Sequence, residues 1–124
     1  MFETLLIKLG SVQPVAKISD EILQRIIRRE FGDQADEVNM KLASVAGDTS
    51  NGRNRISAAI IRLANQDISA IDIHISRSKE DYRDVIAKAE YPRCYKLGFE
   101  CMGDQNMKQI YLDDWQKYSG WLNK

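Results

Sequence analysis

From Arg53 to Asn65 the chain reads RNRISAAIIRLAN, with Ile56, Ala59, Ile60, Leu63 and Ala64 at i, i+3, i+4, i+7 and i+8, the spacing of one buried helical face. That period recurs along most of the chain, and a chain built on it folds by packing helix on helix. Phe2, Leu5, Leu6 and Leu9 repeat it in an opening helix that ends at Gly10, with a strand as the lesser reading. SVQPVAK, with Pro14, then reads as a connection.

Ser19 is an expected N-cap, with Asp20 and Glu21 at the positive end of the helix dipole and Ile18 as the apolar residue just outside. Behind it, Ile22, Leu23, Ile26, Ile27 and Phe31 share one face, Gln24, Arg25, Arg28 and Arg29 the other, and Gly32 is the stop. A second helix is expected over residues 34–46, with Ala35, Val38, Leu42 and Val45 inward and Gly47 closing it. Asn65 is suited to a left-handed cap after the RNRISAAIIRLA helix.

DISAIDIHISRS is ambiguous. Ile71, Ile73 and Ile75 alternate with Asp72, His74 and Ser76 as in a half-buried strand, while Ile68, Ile71 and Ile75 suit a helix. Helix is the expectation, because a strand needs a partner and no other run alternates as cleanly; the alternative is an α+β chain with a short strand at residues 71–75. In SKEDYRDVIAKAEYP, Ser78 and Asp81 have capping-box spacing, Tyr82, Val85, Ile86 and Ala89 face inward, and Pro92 forbids continuation. From Asp104 onward, Tyr111, Trp115, Tyr118 and Leu122 mark a closing aromatic helix. The expected fold is all-α, a compact bundle of five or six short helices forming a single domain over residues 1–124. A chain of this length buries roughly 65–70% of its unfolded surface and needs no metal or disulfide staple.

Charge and cysteine content narrow the partners. Lysine and arginine number 18 against 18 acidic residues, and the one positive stretch, residues 47–66, holds three basic residues and one acidic. A nucleic-acid backbone calls for a basic stripe, so nucleic acid is excluded as the main partner. Cys94 and Cys101 match neither a CxxC redox pair nor a zinc knuckle and read as reduced thiols of a cytoplasmic protein. MFETLLIKLG is too short an apolar run for a signal peptide, and no stretch suits a membrane span.

The segment GDTSNGRN, residues 47–54, comes within two letters of a phosphate-binding loop, with Arg53 and Asn54 where lysine and a hydroxyl residue belong. Such a loop follows a parallel strand, whereas a helix is expected here, and Asn54 offers no hydroxyl to magnesium. Two readings remain: a capped turn built by Asp48, Thr49, Ser50 and Asn51, or an anion site in which Asn51, Gly52, Arg53 and Arg55 receive a carboxylate or phosphate. EDYRDVIAKAEYPR offers Tyr82, Arg83, Asp84, Tyr91 and Arg93 as protein-contact residues, set against inward packing of Tyr82 and a covering role for Tyr91.

No metal, cofactor or catalytic residue is expected. His74 is the one histidine, and Asp72 would share its side only in a strand. Neither cysteine lies in a nucleophile motif, and the carboxylate pairs Asp33/Asp36 and Asp81/Asp84 suit a solvated face.

NRISAAIIRLANQD followed by DYRDVIAKAEYPR resembles a pattern shared by small bacterial proteins of uncharacterised function, in which an NRI...AI..LA..D helix precedes a DYRDV...AEYP helix. The resemblance spans residues 51–93 and implies a bacterial helical fold, with no activity or cofactor to carry over. The functional expectation is a non-enzymatic cytoplasmic protein-protein interaction module, an adaptor or inhibitor. The alternative is a binder of a small anion at residues 47–55, and third comes an enzyme using His74 with a cysteine or carboxylate.

Overall fold

Ser19 caps the first described helix as its spacing predicts: its hydroxyl accepts a hydrogen bond from the Ile22 amide at 3.2 Å while its own backbone is extended. The structure, a computed structural model, describes residues 16–97 and 105–124, so the expected helix at Phe2 to Leu9 and Cys101 lie outside the described residues. Helix α1 (Asp20–Phe31) buries Leu23, Ile26, Ile27 and Phe31. Gly32 ends it at φ 51°, ψ −119°, a conformation that side chains disfavour.

A 3-10 turn (Gly32–Gln34) leads into α2 (Ala35–Leu42), whose Val38 and Leu42 are buried. The expected helix ran to residue 46; it ends four residues sooner. The backbone tightens there, with the Val45 amide on the Leu42 carbonyl at 3.0 Å and the Ser44 hydroxyl on the Lys41 carbonyl at 3.1 Å. Val45 is still buried, now from the connection.

Helix α3 (Ser50–Ala64) begins at the Thr49 cap, so Asn51, Gly52 and Arg53 belong to its first turn. It packs on α1 and buries Asn54, Ile56, Ser57, Ala58, Ala59, Ile60, Ile61 and Ala64, a wider face than the single apolar stripe implied. Ser57 and Ala58 are small enough to be covered on sides that the stripe leaves out. Asn65 is left-handed (φ 51°, ψ 51°), as expected of the cap.

Helix α4 (Ile68–Glu90) takes in the ambiguous stretch. Ile71 and Ile75 are buried and Ile73 is 54% exposed, the outcome of helical rather than alternating placement. The Asp67 carboxylate receives the Ser69 amide at 3.0 Å at its start. Asp81 breaks the helix with φ −155°, ψ 95°, and its carboxylate accepts from the Arg83 amide at 3.1 Å. Asp81 therefore starts the DYRDV segment, which corrects the expected cap at Ser78. The Ser78 hydroxyl is buried and donates to the Ile75 carbonyl at 2.6 Å instead.

Among the described residues all regular structure is helical, and contacts divide them into two compact units: Lys17–Ala89, and Glu90–Lys124 with Ala16. In the second unit Pro92 opens the short helix α5 (Pro92–Leu97), where its missing N–H is no loss. Helix α6 (Gln105–Leu122) contributes buried Tyr111, Asp114, Tyr118, Trp121 and Leu122. The Tyr91 ring stacks on Tyr111 with centroids 4.7 Å apart and lies 6.2 Å from Trp115; Tyr118 and Trp121 continue the aromatic row at 5.5 Å from each other. No described helix is long and apolar enough to cross a membrane.

Candidate functional site

The first turn of α3 uses its polar side chains to hold the segment entering α1. The Asn51 Oδ1 accepts from the Ile18 amide at 2.8 Å, and three residues on, Asn54 Nδ2 donates to the Ile18 carbonyl at 2.9 Å and to Asp20 Oδ1 at 2.9 Å. Two asparagines on one helical face thus grip both sides of a single buried residue. The Gly52 amide donates to Thr49 Oγ1 at 2.9 Å, completing the cap.

This arrangement bears on each anion-site residue. Asn51 and Gly52 already bond within the protein, Arg53 is exposed with Nη2 3.4 Å from Ser50 Oγ, and Arg55 is half-buried. Arg53 and Asn54 line a cavity of about 250 Å³ that also holds the Asp20 carboxylate, Ser57 and Asn39. The element before the loop is helix α2, so the strand that a phosphate loop requires is not there. A larger polar groove of about 400 Å³ lies where α1 meets α2, lined by Arg28, Asp33 and Asp36 over the amide pair Gln24–Asn39, which exchanges hydrogen bonds of 2.8 and 2.9 Å.

The contact residues proposed from EDYRDVIAKAEYPR are divided between the two units. Tyr82 is 47% exposed, which corrects its expected inward packing, and the Arg83 guanidinium sits 5.7 Å from its ring centroid. The break at Asp81 turns the chain just ahead of Tyr82, so the stripe drawn from Ser78 does not continue through it. Asp84 pairs with Lys88 at 3.2 Å across one turn. Tyr91 belongs to the other unit and is buried in the aromatic row, so it offers no surface.

Arg93 is anchored within that second unit. Its Nε meets Asp114 Oδ1 at 2.9 Å, its amide meets Oδ2 at 3.0 Å, and the Cys94 amide shares Oδ2 at 3.2 Å. The Asp114 carboxylate, though buried, is therefore satisfied by three donors and caps α5 from a neighbouring helix. The hydrogen bond that Arg93 donates to the Asp114 carboxylate raises the Arg93 pKa above its ordinary value, with burial opposing.

Burial shifts two more titratable side chains among the described residues, Cys94 and His74. Burial, with the Asp114 charge, pushes the Cys94 thiol up to about 12, so it stays protonated at neutral pH. Burial likewise pushes the His74 imidazole below its usual 6.5; Arg77 adds to this, a hydrogen bond to the Leu63 backbone opposes it, and Lys88 adds again. His74 Nδ1 is buried without a hydrogen-bond partner. Among the described residues no three histidine, cysteine or carboxylate groups converge as a metal site.

Asn54 and Asp114 escape the sequence reading: Asn54 lies off the expected Ile56–Ala64 stripe, on the Ala58 and Ile61 side that only the structure shows to be buried, while Asp114 falls on the aromatic stripe, three residues after Tyr111 and four before Tyr118. Set against known protein families, curated proteins and solved structures, the chain matches none.

Proposed function

We propose that this chain is a non-catalytic cytoplasmic module that works by contact with another protein, with Tyr82 and Arg83 at the centre of the contact. The observation that carries the reading is the exposed Tyr82 ring with the Arg83 guanidinium beside it, just past a break in α4. Tyrosine and arginine are the side chains that most often dominate binding energy at protein interfaces, since each offers a large contact area with a polar end. The protonated Cys94 thiol and the even charge balance favour this over nucleophilic chemistry or nucleic-acid binding.

The test compares tagged wild-type chain with Tyr82→Ala and Arg83→Glu in nuclease-treated bacterial lysate, with circular dichroism confirming that each variant keeps its helices. A protein held stoichiometrically by the wild type is expected to bind either variant about thirtyfold more weakly, the loss typical of a dominant contact residue. Equal capture of every bound protein by all three chains removes Tyr82 and Arg83 from the contact and with them the proposal.

A further inference from the structure

Asn51–Gly52 is the one Asn-Gly step in the chain. Asparagine before glycine is chemically labile, because no side chain shields the glycine amide nitrogen from the asparagine Cγ. In the reaction the Gly52 nitrogen gives its proton to solvent base and bonds to Asn51 Cγ, while the Cγ–Nδ2 bond breaks and ammonia leaves. Water then opens the five-membered imide at either carbonyl, yielding aspartate or an isoaspartate whose backbone runs through the former side chain. Water is the sole co-reactant.

The fold engages both reacting groups. The Gly52 amide, the nucleophile, donates to Thr49 Oγ1 at 2.9 Å, and the Asn51 side chain, the electrophile, accepts from the Ile18 amide at 2.8 Å. Both residues also lie in the first turn of α3, and helical backbone angles hold a residue's amide away from the preceding side chain's Cγ. We propose that Asn51 is a spontaneous modification site, converted to aspartate or isoaspartate by water, and that the Thr49 cap and the Ile18 clasp gate it. Conversion proceeds through openings of this turn and leaves a covalent record of them.

The two products differ in consequence. Aspartate retains an acceptor for the Ile18 amide and places negative charge at a helix N-terminus, where the dipole favours it. Isoaspartate lengthens the backbone by one carbon inside the first turn, so Thr49, Asn51 and Asn54 lose the register that serves Gly52 and Ile18 together.

The experiment incubates the full chain in mildly alkaline buffer, natively and in strong urea, and follows both products at position 51 by peptide mapping with fragmentation that separates the isomers. Expected are slow conversion in the folded chain, fast conversion in urea, and native conversion about fivefold faster in Thr49→Ala, in line with the loss of one cap. A second series raises urea below the unfolding transition in the wild type, where conversion and hydrogen exchange at the Gly52 amide should accelerate together; it holds whether or not Thr49→Ala folds. Equal rates in folded and unfolded wild type, no conversion at position 51 in strong urea, conversion that ignores Gly52 exchange, or an unchanged rate in a folded Thr49→Ala chain each overturn the proposal.

Discussion

Asn54 and Asp114 each tie their helix to a distant segment through one polar side chain. Asn54 binds the Ile18 carbonyl and the Asp20 carboxylate from a buried position, so Asn54→Ala strands a buried carbonyl, while the exposed Asp20 turns to water. A loss of about 1–3 kcal/mol is expected, measured by urea unfolding followed by circular dichroism. Asp114→Asn keeps the shape of the side chain but presents an amide where three donors converge, and about 2 kcal/mol is expected to go, moderated because Arg93 itself is well exposed. Trp115 and Trp121, the two tryptophans of the chain, both lie in α6 and make fluorescence the natural probe for that variant. Neither Asn54 nor Asp114 announces its role in the sequence, since an asparagine or aspartate on a helix is by default a solvated residue. What each bonds is set by residues 36 and 20 positions away.

Helix ends were more legible. Ser19, Gly32 and Asn65 act where their residue types predict, because a cap is a local contract between a side chain or a backbone conformation and the next few amides. Gly32 has open space around a would-be Cβ, so Gly32→Ala meets no clash and its cost is that of the positive φ alone. About 1 kcal/mol or more of stability is expected to be lost, read as a lower urea midpoint at unchanged slope. The break in α4 falls three residues past the expected cap, because Ser78 and Asp81 are both competent caps and local rules do not rank them. Asp81→Ala removes the acceptor for the Arg83 amide and should cost about 1 kcal/mol, whereas Ser78→Ala should leave Arg83 amide exchange unchanged.

At the scale of the whole molecule, the buried sides of His74 and Cys94 tie stability to pH. The His74 pKa is depressed in the folded chain, so the stability it contributes is present above 6.5 and is lost as pH falls through its lower folded value. Melting temperature should decline on acidification, and His74→Gln should flatten that decline. Cys94 works in the opposite direction: with its pKa raised from 9.0 to about 12, its contribution is complete below 9.0 and fades as pH climbs toward 12. The same burial predicts that the thiol reacts with an aromatic disulfide reagent at neutral pH only after urea is added. Sequence alone suffices for the all-α class, the helix face at Ile71 and Ile75 and most helix ends, because period and capping act over a few residues. It could not say that Tyr82 stays in solvent, that Tyr91 enters an aromatic row, or that two asparagines of a phosphate-loop look-alike clasp Ile18. Those outcomes depend on what covers each face, and that is decided by side chains brought together from distant parts of the chain when helices pack.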